Sequence, residues 1–277
     1  MIVDCFTFFN ELDILECRLE YLNSSVDYFV LVESNITFSG KQKPLYFVEN
    51  QLRFEKYKSK IIYHPFIFDN SIYNFTFDNN QSETNYGATQ WQIEYMQRNH
   101  IANAVKIIEG NPNIILGDVD EIPSIESINF CKDNLSSEVP AIALIMKLFF
   151  YNLSIMDPTE WAASIFTSKN FLLEKTPQFL RANHRNETMI PQVTNGGWHL
   201  TYFGNTEQIQ YKIDSFSHQE YNKPENKSVE NIISSINNRV GLFDKMSRYV
   251  SIEKNYFSKD FFDIFQRFYP HDMNVNG

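Results

Sequence analysis

Cysteine is scarce: only Cys5, Cys17 and Cys131 occur in 277 residues. An odd number without metal-ligand spacing argues against a disulfide scaffold or a zinc site and predicts three free thiols, with Cys5 and Cys17 in apolar, buried segments. Glycine is also sparse, at nine residues. No Gly-x-Gly-x-x-Gly follows the first predicted strand, which disfavours a dinucleotide-dependent oxidoreductase. Positive charge is in deficit, with 24 Lys and Arg against 34 Asp and Glu and a formal net charge of -10. Without a basic stripe and with a surface that repels polyanions, nucleic acid is excluded as an expected partner. No window reaches the length of apolar run that spans a bilayer, and the N-terminus has no cationic segment followed by an apolar stretch and a cleavage site. The expectation is a cytoplasmic protein without signal peptide or transmembrane segment. Internal repeats and long linkers are missing too.

What is abundant is aromatic and apolar. Aromatics reach 16%, with 25 Phe and 15 Tyr, and hydrophobic residues 43%. A chain of this length can bury a full-sized core, and most of these rings belong there, although sugar sites also use aromatic faces as platforms. The apolar run Ile2 to Phe9 reads as a strand, and Leu12, Leu15, Leu19 and Leu22 fall on one helix face. Tyr28 to Glu33 reads as a buried parallel strand that completes a βαβ unit. Ile61 to Phe68 is predicted as a third strand, Thr89 to Val105 as a long helix, and Ile114-Ile-Leu and Ala141 to Tyr151 as further strands. Thr206 to Phe216 resembles a capped helix, and a polar stretch after Asn222 precedes a helical tail from Val229 to Asn238. The expected organisation is an α/β catalytic domain over 1–222 with a helical C-terminal extension over 223–277 packed on it.

The chemistry concentrates where the fourth strand ends, in Gly117-Asp118-Val119-Asp120-Glu121-Ile122-Pro123. In open α/β sheets ligands bind beyond the carboxyl ends of the strands. Two carboxylates two residues apart on such a turn can converge on one hard cation, Mg²⁺ or Mn²⁺, that keeps positions open for substrate phosphates. A metal-bridged diphosphate also suits an acidic protein. The plainer alternative for an Asp-x-Asp spacing alone is a solvated acidic turn.

Four blocks occur in order: Phe9-Asn10-Glu11-Leu12-Asp13; Val32-Glu33-Ser34-Asn35-Ile36-Thr37-Phe38-Ser39-Gly40 with Lys43-Pro44-Leu45; the Asp118-Val119-Asp120 loop; and Gly196-Gly197-Trp198-His199. Together they resemble glycosyltransferase family 17 over roughly residues 1 to 245, and the order is more specific than any single block. The resemblance implies a GT-A type fold, with a Rossmann-like mixed central sheet flanked by helices. It further implies an inverting transfer from a UDP-sugar, with N-acetylglucosamine as the sugar and Mn²⁺ or Mg²⁺ as cofactor, onto a glycan or glycoconjugate acceptor. Lacking a membrane anchor, the chain looks more like the soluble members of bacteria or large viruses.

Carried over by residue, the resemblance makes Asp120 the principal metal ligand, Asp118 a ligand of metal-bound water or of the ribose, and His199 a further ligand or diphosphate contact. His199 beside Trp198 also has a purely structural reading. Phe8, Asn10 and Glu11 lie beside the nucleotide, with capping of the helix dipole as the alternative for Glu11. Glu33 meets the ribose or uracil, or is a strand-end surface acid. Lys43 or Arg98 meets the diphosphate, Arg98 having an exposed helix cation as its alternative. Inversion needs a carboxylate base for the acceptor hydroxyl. Glu160, in Asp157-Pro-Thr-Glu-Trp161 read as a loop, is preferred, and Glu220 is the second candidate; both have the plain reading of surface acids. The competing functions are a nucleotide-sugar hydrolase on the same metal site and a non-catalytic carbohydrate-binding protein.

Overall fold

A computed structural model describes residues 1–69 and 89–269. Its strands are β1 (Ile2–Phe8), β2 (Tyr28–Glu33), β3 (Ile61–Tyr63), β4 (Asn113–Asp118), β5 (Glu121–Pro123), β6 (Ala141–Phe150), β7 (Ile155–Ser168), β8 (Gln192–Thr201) and β9 (Val250–Ser251). The helices are α1 (Leu12–Leu22), α2 (Tyr46–Glu49), α3 (Thr89–Lys106), α4 (Ile125–Asn134), α5 (Lys169–Lys175), α6 (Pro177–Asn183), α7 (Thr206–Ser215), α8 (Pro224–Lys227), α9 (Val229–Asn238) and α10 (Lys259–Phe265).

Among the described residues the nine strands form one sheet in the order β3-β2-β1-β4-β7-β6-β8-β5, with β9 paired to β7. The β3-β2-β1-β4 half is parallel, β7 runs antiparallel to β4, and β6 pairs antiparallel with β7 but parallel with β8. This mixed sheet flanked by helices is the α/β architecture expected from the sequence and is consistent with a GT-A-like fold. Every residue of β1 is buried, as a central parallel strand covered on both faces requires. Its alternation assigns Phe6 and Phe8 to a core shared with α1, α4 and α10, and Val3 and Cys5 to a core shared with α3, α5 and α6. A third cluster joins Tyr151 and Ile155 to α7 and α9 through Ile209, Ile213, Ile232 and Ile236.

The structure corrects two sequence readings. Asp157 to Trp161 is not a loop but the middle of β7, whose register pairs Lys147 with Glu160 and Met146 with Trp161. The C-terminal extension is not wholly helical, since β9 adds to the sheet by pairing Ile155 with Ser251. Its Phe261 and Phe265 belong to the same core as Phe6. The three cysteines are buried and unpaired. No helix among the described residues is long and apolar enough to cross a membrane.

Candidate active site

Strand order reverses at β1, with β2 on one side and β4 on the other, and this is where an open α/β sheet leaves a crevice at the strand ends. A cleft opens there, lined by Thr7, Phe8, Glu11, Asp118, Asp120 and Lys212, with Ile36, Phe38, Glu94, Gln97, Arg98, His199, Tyr202, Phe216 and Ser217 completing its walls.

The acidic loop is fastened from below by Arg18 of α1, which is fully buried. Its Nε and Nη2 donate to both carboxylate oxygens of Asp4 at 2.7 Å. Its Nη1 donates to the carbonyls of Asp118 (3.0 Å), Val119 (3.2 Å) and Glu121 (2.6 Å). From the sides, Val119 N–H donates to Thr7 O at 3.1 Å and Leu200 N–H to Asp120 O at 2.8 Å. Two glycines permit this packing. A Cβ on Gly117 would come within 2.3 Å of Ser164 Oγ and 2.9 Å of Glu121 Oε2; one on Gly197, at φ +140, would come within 2.1 Å of Ile122 O. Glu121 turns inward, accepts from Asp118 N–H at 3.1 Å and is ion-paired with Arg181 of α6.

The two aspartates of the loop face different partners. Asp118 Oδ1 accepts from Thr7 Oγ1 at 2.7 Å and lies 3.6 Å from Arg98, while Oδ2 lies 3.3 Å from Arg181. Burial opposes ionisation of Asp118, but the Arg98 and Arg181 guanidiniums outweigh it and bring the pKa down from 3.8 to about 2. Asp120 Oδ2 accepts from Lys212 Nζ at 2.8 Å, and Oδ1 lies 3.7 Å from His199 Nε2. Burial again works against charge on Asp120, and Lys212 and His199 hold it well below the usual carboxylate range. For His199, burial acts downward, and Asp120 and Glu121 raise it overall.

The folded pKa of Asp118 lies below its unfolded value, so its stabilising contribution is complete above about pH 4 and lost as pH falls toward 2. The amount is about 2 kcal/mol. In urea unfolding of the wild type and Asp118→Asn from about pH 7 down to about pH 3, the stability gap between the two should narrow as pH falls. A gap independent of pH would show that Asp118 is not held ionised by its arginines.

The gap of 3.7 Å between Asp120 Oδ1 and His199 Nε2 is too long for a hydrogen bond. It suits two ligands of one divalent cation, each at about 2.0–2.2 Å. His199 Nδ1 is buried without a hydrogen-bond partner. Among the described residues no cluster of three or more His, Cys, Asp or Glu converges to hold an ion unaided. Asp120 and His199 could supply two ligands to a cation, whose remaining positions would have to be filled by water or by another molecule.

Of the residues nominated from sequence, Phe8, Glu11, Lys43, Arg98, Asp118, Asp120 and His199 come together on the cleft. Glu11 Oε2 accepts from Asn10 N–H at 3.0 Å in the turn before α1 and makes no cap hydrogen bond to the helix, while Oε1 is turned 3.5 Å from Lys212. Arg98 is not the exposed cation of its plainer reading. It is buried, with hydrogen bonds at 2.7 Å to both Glu94 and Gln178.

Four nominations lie elsewhere or face other partners. Asn10 borders a neighbouring hollow with Asp13, Arg53 and Tyr269. Glu33 is fully buried and turned away from the cleft, taking Lys43 Nζ at 3.1 Å, Phe47 N–H at 3.2 Å and Tyr63 Oη at 3.2 Å. It is not the surface acid of its plainer reading. Glu160 is ion-paired with Lys147, and Lys147 stands in register with Trp198 of β8. In-register partners share a face. Trp198 packs on Phe261 and Tyr21, while His199, next along β8, points the other way toward Asp120. Glu160 thus lies on the sheet face opposite the cleft. Glu220 Oε1 accepts from His218 Nδ1 at 2.6 Å in the turn that follows Ser217.

Sequence reasoning missed Arg18, Glu94, Arg181 and Lys212. Each lies on a helix, where a charge reads as a solvated face. The position of Lys212 within the capped helix was legible, but not which face that helix turns inward.

A family profile, glycosyltransferase family 17, matches residues 1–254. No curated protein matches the chain.

Proposed function

The chain belongs to glycosyltransferase family 17 and is a glycosyltransferase; we propose that it is metal-dependent and inverting, moving N-acetylglucosamine from a UDP-sugar to a hydroxyl of a glycan or glycoconjugate. The observation that carries this reading is the facing pair of Asp120 Oδ1 and His199 Nε2, 3.7 Å apart, beside an ionised Asp118 at the strand-end crevice. A divalent cation bound there would offset the negative charge that develops on a departing nucleoside diphosphate.

The protein's own groups do the rest. Arg98 and Arg181 keep Asp118 ionised and fixed, so little reorganisation accompanies donor binding. Phe8, Ile36 and Phe38 give the cleft an apolar wall against which a base can lie. On the acceptor side an inverting displacement requires a carboxylate to take the hydroxyl proton. With Glu160 on the far face of the sheet, this reading assigns that role to Glu220, oriented by His218.

The test is calorimetric titration of the protein with UDP, UDP-N-acetylglucosamine, UDP-glucose and GDP-mannose, with and without Mn²⁺. Tighter UDP binding in the presence of Mn²⁺ is expected, with the preferred sugar nucleotide naming the donor. Absence of nucleotide binding under every condition would overturn the metal-site and UDP-sugar assignments. Release of free sugar without acceptor transfer would point to the hydrolase.

A further inference from the structure

The cleft presents four carboxylates, Glu11, Glu94, Asp118 and Asp120, to whatever enters it. An anionic diphosphate needs cationic donors there, and the cations that line the cleft differ in how they are committed. Lys43 Nζ gives its hydrogen bonds to Glu33 at 3.1 Å, Pro44 O at 3.1 Å and Phe9 O at 3.3 Å, which saturates an ammonium of three donors. Arg98 is fixed between Glu94 and Gln178 and also neutralises Asp118. Lys212 is different. It reaches from α7 across the cleft wall, with one close partner, Asp120 Oδ2 at 2.8 Å, and a long contact of 3.5 Å to Glu11. Its side chain keeps 23% exposure, and its ammonium retains donor capacity toward the cleft.

We propose that Lys212 is the diphosphate-binding cation of this site, bridging Asp120 and the phosphate oxygens of the nucleotide donor. The inference rests on reading the cleft as the nucleotide-sugar site. The Asp120 contact holds the flexible lysine stem beside the crevice before the donor arrives, so less side-chain entropy is lost when the phosphate bonds form. The α7 helix that carries Lys212 is fixed at its start by a capping box between Asn205 and Gln208, and its Ile209 and Ile213 are buried in the third core cluster. Both features give the lysine a rigid base.

The experiment compares UDP and uridine binding, without added metal, to the wild type, Lys212→Gln and Lys212→Arg. A charge-assisted contact to phosphate predicts roughly 10- to 100-fold weaker UDP binding in Lys212→Gln. Uridine, which has no phosphate, should bind all three proteins alike, and Lys212→Arg should recover a large part of the UDP affinity. Equal loss of UDP and uridine would mean that the lysine only supports the fold of the cleft. Unchanged UDP affinity in Lys212→Gln would overturn the inference directly. If the wild type binds neither UDP nor GDP, with or without Mn²⁺, the nucleotide-site reading fails and this inference fails with it. The same comparison with GDP and guanosine covers a guanine donor.

Discussion

Arg18→Met should lower the unfolding free energy by about 3 to 5 kcal/mol, the usual cost of removing one partner of a buried ion pair. The residue is fully buried, and its guanidinium satisfies both oxygens of an equally buried Asp4 together with three carbonyls of the 118–121 loop. Methionine fills much of the volume but leaves the Asp4 charge without a counterion in a low-dielectric interior. For a chain of this size the loss corresponds to a drop in Tm on the order of 10 °C. Thermal and urea unfolding of Arg18→Met, Asp4→Leu and the double variant would measure it. The double variant should be less destabilised than the sum of the two singles, because it removes the orphaned charge. A change below about 1 kcal/mol in Arg18→Met would show that the loop is held by its backbone bonds to Thr7 and Leu200 instead. The arginine also ties stability to function, since the carbonyls it fastens belong to the loop that carries Asp118 and Asp120.

Asp120→Asn should reduce sugar transfer by roughly 10²- to 10³-fold while leaving the fold intact. Asparagine has the same shape and keeps the backbone bond to Leu200. What it loses is the charge that faces both His199 and Lys212. If that charge organises the cationic environment of a departing diphosphate, turnover falls far more than thermal stability does. Turnover assayed with the donor identified by titration, alongside a melting curve, separates the two effects. Activity within about tenfold of wild type would remove Asp120 from the centre of the chemistry.

Local periodicity carried the sequence a long way. The βαβ start, the buried strand over 28–33, the long helix from Thr89, the strand leading into Gly117 and the helix over 229–238 all follow from apolar spacing and breaker residues that act within a few positions. The Asp-Val-Asp loop was legible for the same reason, since a buried strand ending in a carboxylate-rich turn stopped by proline is a local pattern. β7 was misread because Asp157, Pro158 and Thr159 are turn-type residues. That stretch is largely exposed and bulges between the pairs Lys147–Glu160 and Phe149–Met156, so β7 runs through it only because β6 pairs on either side, which no local signal encodes.

What the sequence by itself determined, then, is the class of fold, the family pattern and the turn that carries the acids. Which charges meet that turn was decided only in three dimensions. Glu33 looked poised for a ligand, but the chain returns Lys43 and Tyr63 to it and so turns its carboxylate into the interior. Glu160 looked like a base, but the register of β6 with β7 and β8 sets it on the other face. Lys212 and Arg181, 92 and 60 residues away from their acidic partners Asp120 and Glu121, converge on the site because strand order and helix packing bring them there. Propensity and spacing act over one or two helical turns, whereas the direction of a side chain across a sheet depends on pairing between distant segments, and the electrostatics of the cleft are made of those directions.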